Sequence, residues 1–95
     1  MPEMRFRIRW PDGVEESCYS PSLVVKEHLA PGESYTVADF LRRCREALLI
    51  ASDRVKVKYG FACSRALGQL ARIETGCAEF ADQAEARVRV EAFED

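Results

Sequence analysis

Residues 35–70 read YTVADFLRRCREALLIASDRVKVKYGFACSRALGQL, and no other part of the chain keeps one hydrophobic period for so long. Apolar side chains recur there at steps of three and four residues, which is typical of one face of an α-helix. This stripe consists of Phe40, Leu41, Cys44, Leu48, Ala51 and Val55. Thr36 can cap the helix by accepting from the N–H of Asp39, and Gly60 can end it in a left-handed conformation. The segment therefore predicts one long helix between Thr36 and Gly60.

The last turns of this helix carry a competing pattern. Residues 54–59 alternate between basic and apolar side chains, and strict alternation is typical of a strand. Val55 and Tyr59 also continue the helical stripe, and no turn residue separates them from Ala51. We therefore favour a helix over residues 54–59 and keep a strand as the alternative.

A β-hairpin is predicted at the start of the chain. In MRFRIRW, residues 4–10, apolar side chains alternate with arginines, which is the pattern of a half-buried strand. Pro11-Asp12-Gly13 follows as a three-residue loop in which Gly13 takes positive φ. The resulting register predicts four cross-strand pairs: Trp10 with Val14, Ile8 with Glu16, Phe6 with Cys18, and Arg9 with Glu15. It turns Val14 inward and leaves the Glu16 carboxylate on the apolar side, which is an anomaly for a charged residue.

Shorter patterns follow the hairpin and the long helix. Ser20 as N-cap and Pro21 as first helical residue predict a short helix to about Leu29, closed by a turn at Pro31-Gly32. A second helix is predicted from about Ser64, and its inward side chains are Leu67, Leu70, Ile73, Cys77 and Phe80. A final strand is predicted by the alternation of Val88, Val90 and Phe93 with Arg87, Arg89 and Glu91.

These elements predict an α+β fold in a single domain, residues 1–95. A small antiparallel sheet, made of the N-terminal hairpin plus the C-terminal strand, is covered on one face by the helical pair. Three strands are too few to be stable alone, so the helices must supply the other half of the core.

Composition excludes several classes of protein. With 47% hydrophobic and 32% charged residues, the chain is typical of a folded domain. Its net charge of −2 gives no general attraction to nucleic acid or to anionic membranes. No apolar run approaches the ~20 residues of a membrane span, and the N-terminus lacks the apolar segment of a signal peptide. We therefore expect a cytoplasmic protein that binds neither nucleic acid nor membrane.

The four cysteines suggest a first candidate site. None forms a C-x-x-C pair, and one histidine cannot complete a zinc set, so we expect no metal and no cofactor. Cys18 and Cys63 each precede a predicted helix N-terminus, where backbone N–H groups stabilise a thiolate. The candidate ligand or thiol site consists of Cys18, Tyr19, Ser20, Cys63 and Ser64. The alternative is that both thiols are small buried apolar side chains, as free cysteines usually are.

A second candidate is an arginine-rich sheet face. If the first and last strands are neighbours, five arginines share one open face: Arg5, Arg7, Arg9, Arg87 and Arg89. Such a face can bind an anionic ligand or an acidic protein partner. The alternative is a solvated face on which Glu15 and Glu91 balance the charge.

Several short motifs resemble those of one protein family. They are MPEM at the start, WPDG, CYSPS, PGESYTVADF and ASDRVKVKYGFACS, together with the spacing between them. The combination is similar to the small bacterial proteins called nitrogen starvation response proteins. The resemblance covers about residues 1–70, and the C-terminal quarter matches only in general character. A site shared across that family would lie in residues 10–13, 18–22 or 59–64.

The resemblance implies a biological setting. Genes of that family are typically found beside those for a nitrilase, a radical S-adenosylmethionine enzyme, an acetyltransferase and a flavoprotein, which implies assimilation of nitrogen from nitriles or cyanide. The resemblance implies no catalytic residues. The sequence also offers no Ser-His-Asp set, Gly-rich phosphate loop or paired-carboxylate motif. We expect a non-enzymatic accessory or interaction protein, whose partner comes from the same gene cluster or is a second copy of the chain. The alternative is a small-molecule or metal-binding protein, or a thiol enzyme, that uses Cys18 and Cys63.

Overall fold

The computed structural model of the protein describes residues 3–94. Its elements follow the chain as β1 (Met4–Arg9), β2 (Glu15–Ser20), a 3-10 helix (Leu23–Glu27), β3 (Ser34–Thr36), α1 (Val37–Tyr59), α2 (Ser64–Ala78) and β4 (Arg87–Glu94). The predicted α+β fold, with helices packed on one face of an antiparallel sheet, is confirmed. Within the described residues, no helix is both long enough and apolar enough to cross a membrane.

The sheet has four antiparallel strands in the order β2-β1-β4-β3. The hairpin and the C-terminal strand were predicted, and β1 does lie beside β4. The fourth strand, β3, was not predicted. Its three residues are too few to show a period, and they become a strand because they pair with residues 87–89 of β4.

The predicted hairpin register is confirmed, including the pair of Ile8 with Glu16. Gly13 has φ of 91°, and the N–H of Trp10 donates to the Val14 carbonyl at 2.8 Å. The inward Glu16 carboxylate has a partner, because the indole Nε1 of Trp10 donates to its Oε1 at 3.1 Å. Val14 was expected to face inward, but its side chain is exposed.

Helix α1 forms as predicted and includes residues 54–59. The hydroxyl of Thr36 accepts from the N–H of Asp39 at 3.2 Å, and Gly60 ends the helix with φ of 87°. The Asp39 carboxylate accepts from Arg42 and Arg43, which lowers the pKa of that carboxyl. The stripe side chains that are fully buried are Phe40, Cys44, Leu48 and Ala51.

The short helix after β2 begins later than predicted. Ser20 was expected to cap it, but Ser20 belongs to β2 and pairs with Met4, so its backbone is extended. Ser22 is the N-cap instead, and its hydroxyl accepts from the N–H of Val24 at 3.3 Å. The resulting turn is a 3-10 helix that ends at Glu27.

Helix α2 buries a face slightly different from the predicted one. Leu70, Ile73 and Cys77 are buried as expected, whereas Leu67 is exposed. Gln69 is buried in its place, because that face of the helix lies against the edge of β2. The core is one cluster between the sheet and the two helices, and its largest fully buried side chains are Phe6, Phe40, Ile8, Leu48 and Ile73.

Candidate functional site

Three of the four thiols lie in the core. Cys18, Cys44 and Cys77 are buried. Burial raises the pKa of the Cys18 thiol from 9.0 to about 12, and the nearby Glu16 carboxylate acts in the same direction. Burial also raises the pKa of Cys77 to about 11. These two thiols therefore stay protonated at neutral pH and are poor nucleophiles in the folded protein.

Cys63 has a different environment from Cys18. It is half-buried at the start of α2, and its N–H donates to the buried hydroxyl of Ser52 at 3.2 Å. Cys63 lies near enough to Tyr19 to contribute to the raised pKa of that phenol, whose main causes are desolvation and a hydrogen bond to Glu3. Cys18 directly precedes Tyr19 in β2. Because consecutive side chains of a strand point to opposite sides, Cys18 faces the core on the side away from Tyr19. A thiol site that uses both cysteines stays a prediction.

The other members of the predicted thiol site are divided between the core and the surface. Ser20 is buried, and its hydroxyl donates to the Ser22 carbonyl at 2.7 Å. Ser64 is exposed as the first residue of α2. Within residues 3–94, no group of three His, Cys, Asp or Glu side chains comes together as a metal site.

The open face of the sheet carries alternating charges. All five predicted arginines are exposed there. The ion pairs on this face are Arg7 with Glu15 and Glu94, Arg9 with Glu15 and Glu91, and Arg89 with Glu91, at 3.1–3.7 Å. Arg5 and Arg87 stand outside these pairs: Arg5 lies 5.9 Å from the Tyr19 ring and Arg87 donates to the Ser34 carbonyl. Three carboxylates therefore offset much of the positive charge, and an acidic partner for this face stays a prediction.

A polar cleft lies where α2 meets the edge of β2. We call it the arginine cleft; it is lined by Arg5, Ser17, Tyr19, Arg65, Gly68, Gln69 and Arg72, and its volume is about 340 Å³. The N–H of Tyr19 donates to Oε1 of Gln69 at 2.9 Å, which joins the strand edge to the helix. The guanidinium of Arg65 lies 3.9 Å from the centre of the Tyr19 ring, a cation–π contact.

Sequence reasoning missed the helical half of this cleft. It assigned α2 to the core and did not consider Arg65, Gln69 or Arg72. A signal was present, because residues seven apart lie on one face of a helix and Arg65 and Arg72 have that spacing.

The end of α1 and the start of the connection to α2 form an exposed part of the surface. We call residues 56–62 the helical tip, and each of them is exposed. Its apolar side chains are unusually open to water: Val57 is 81% exposed, Phe61 68% and Tyr59 53%. Gly60 takes a left-handed conformation at the end of α1, and the N–H of Cys63 donates a hydrogen bond to the Ser52 hydroxyl, which ties the connection back to α1.

A comparison with known protein families gives a match over almost the whole chain. The model of the family "Nitrogen starvation-induced protein NitG" matches residues 5–93. The chain belongs to the NitG family. The suspected nitrogen-starvation family is thereby confirmed, and the match extends past residue 70 into β4, as far as Phe93. Neither the curated proteins nor the solved structures gave a match.

The motifs of this NitG-family chain have different environments. The tryptophan of WPDG is structural, because the Trp10 ring is buried against Phe40 and Phe80 at centroid distances of 6.0 and 6.1 Å. CYSPS contributes Tyr19 to the arginine cleft. YGFACS supplies part of the helical tip. Of the opening MPEM, Met1 and Pro2 lie outside the described residues. CYSPS and YGFACS therefore contribute to the cleft and to the tip, respectively.

Proposed function

We propose that this chain is a cytoplasmic, non-enzymatic accessory protein of the nitrogen-starvation response, which acts by binding a protein of a nitrilase-containing enzyme set. Membership of the NitG family supports the nitrogen-starvation setting. The observation that carries a binding role is the helical tip, where apolar side chains at the end of α1 and in the connection to α2 are exposed to water.

The exposed apolar side chains of the tip are the physical reason to expect a partner. Removing apolar surface from water stabilises a complex by about 25 cal/mol per Å². Large aromatic side chains in a rigid setting account for much of the affinity at protein interfaces. Phe61 is the aromatic side chain of this kind: it follows Gly60, and the turn that carries it is held by the hydrogen bond from the Cys63 N–H to the Ser52 hydroxyl. Val57 adds exposed apolar surface from the last turns of α1.

The charges around the tip indicate the chemistry of the partner surface. Lys56 and Lys58 are exposed beside Val57, and the Lys58 ammonium lies 5.5 Å from the Tyr59 ring. A complementary surface has an apolar pocket with carboxylates at its rim. The partner we propose first is the nitrilase, because it is the defining enzyme of the implied gene set.

Binding should be measured by calorimetric titration of the purified protein into the nitrilase and into the other three enzymes of the set. The test variant combines Val57→Ser and Phe61→Ser, and the matched control is Val14→Ser, an exposed valine in the hairpin loop region. We expect the test variant to bind at least tenfold more weakly, equivalent to about 1.4 kcal/mol, and the control to bind like the unmodified protein.

Two results would contradict the proposal. One is that the unmodified protein binds none of the four enzymes. The other is that the tip variant, shown by circular dichroism to be folded, binds as tightly as the control. Light scattering of the protein alone tests a second copy as the occupant, since a dimer formed through the tip would become a monomer in the test variant.

A further inference from the structure

We infer that the arginine cleft is a binding site for a small oxyanion, a carboxylate or phosphate group. Its donors come from two elements: Arg5 from β1, and Arg65, Gln69 and Arg72 from α2. The site uses none of the residues of the helical tip, so it stands independently of the proposed protein partner.

The cleft concentrates positive charge, which the neighbouring carboxylates offset only in part: Glu94 lies opposite Arg5 in the sheet, and Glu3 lies near Arg65. Among residues 3–94, Arg5 and Arg72 form no ion pair. Arg65 has one carboxylate near it, Glu3, at 3.8 Å, and both side chains are mostly exposed, so this pair is weak. Three guanidinium groups line one cleft, and planar guanidinium forks bind carboxylate and phosphate oxygens in pairs.

Gln69 provides the second, independent observation. Its side chain is 5% exposed, and its orientation is set because Oε1 accepts from the N–H of Tyr19 at 2.9 Å. The other amide atom, Nε2, is buried and has no hydrogen-bond partner among the described residues. A buried donor without an acceptor is unfavourable, and such a group in a folded protein calls for an explanation. An oxyanion in the cleft supplies the missing acceptor.

The neighbouring side chains suit the same ligand. The guanidinium groups of Arg65 and Arg5 lie 3.9 and 5.9 Å from the centre of the Tyr19 ring, and these contacts limit the orientations that the two groups adopt. Ser17 adds a hydroxyl that can donate. A volume of about 340 Å³ is within the range of small-molecule sites. Because Nε2 of Gln69 is closed off from water, binding requires a side chain of the cleft lining to move.

The sequence offers a direct spectroscopic test. The chain contains two side-chain amides, Gln69 and Gln83, and Gln83 is exposed outside the cleft. The ¹⁵N-labelled protein should be titrated with sodium phosphate and, separately, with sodium succinate, each against sodium chloride at the same ionic strength. We expect a saturable shift of the Gln69 amide signals with at least one of the two anions and an unchanged Gln83 signal. Which anion saturates distinguishes a phosphate ligand from a carboxylate ligand.

Two variants that each lose one positive charge separate the effect of the cleft from the effect of the net charge. Arg72→Gln removes a donor of the cleft, and we expect it to weaken anion binding by about tenfold or more, as for loss of a charged hydrogen bond. Arg89→Gln, on the open sheet face, should change the dissociation constant by less than about twofold. The inference is overturned if neither anion produces a saturable Gln69 shift, or if Arg72→Gln and Arg89→Gln bind the anion equally well.

Discussion

Replacing Gly76 with alanine should destabilise the protein, although the same replacement at Gly68 in the same helix should stabilise it. A Cβ at Gly76 would lie 2.6 Å from Cη2 and 2.7 Å from Cζ2 of the Trp10 ring. At Gly68 nothing lies within 4 Å of the added atom. The two positions therefore separate helix propensity from packing.

The magnitudes follow from these contacts. Alanine in a helix is favoured over glycine by about 1 kcal/mol, which is the gain expected at Gly68. An alanine at Gly76 forces the Trp10 ring to move. The hydrogen bond from the ring to Glu16 and its contacts with Phe40 and Phe80 resist this movement. Overpacking a core costs about 1–3 kcal/mol, and a distance of 2.6 Å to a ring atom places this site near the upper end. The net loss at Gly76 is then about 1–2 kcal/mol, or roughly a 5–10 °C lower Tm for a domain of this size.

Thermal and urea unfolding followed by circular dichroism measure both variants. The same Gly76→Ala change should also be made in a Trp10→Phe background, where the smaller ring leaves room for the methyl group. We expect the penalty of Gly76→Ala to shrink in that background, a coupling that a double-mutant cycle reports. The packing argument is refuted if Gly76→Ala is as stable as Gly68→Ala, or if its penalty is the same with either ring.

Two further predictions concern the hairpin and the buried thiols. Gly13→Val should lower the free energy of unfolding by more than about 1 kcal/mol, because φ of 91° is strained for a β-branched residue; unchanged urea denaturation would contradict this. Burial raises the pKa of Cys18 from 9.0 to about 12, so the folded state holds that proton more tightly than the unfolded state does. The contribution of this thiol to the free energy of unfolding is therefore fully present below pH 9 and is lost as the pH rises from 9 to 12. Cys18 should accordingly resist iodoacetamide in the folded protein at pH 8, and rapid labelling there would instead favour the thiol site.

The correct sequence predictions rested on local chemistry. The hairpin register followed from a loop length and from the positive φ of Gly13, both of which are properties of adjacent residues. Helix α1 was predicted because its cap at Thr36 and its end at Gly60 are encoded next to the stripe that they bound. The unusual position of Glu16 was also predicted, although its partner, the Trp10 indole, was not.

The wrong or missing predictions depended on distant parts of the chain. Ser20 has the chemistry of an N-cap, yet its pairing with Met4 keeps it in a strand. Leu67 is more apolar than Gln69, yet Gln69 is the buried residue because the edge of β2 needs a hydrogen-bond acceptor there. The arginine cleft could not be assembled for the same reason, since it forms only where α2 meets β2.

The hydrogen bond from Tyr19 to Gln69 also bears on whether copies of this chain aggregate. A free strand edge presents unpaired N–H and C=O groups that can pair with the strand of another molecule. Here β2 is an outer strand, and the Gln69 side chain occupies its backbone donor at Tyr19. The opposite outer strand, β3, is three residues long and offers little backbone to a second chain. The sheet therefore has limited means of growing into a fibril, even when the protein accumulates to high concentration.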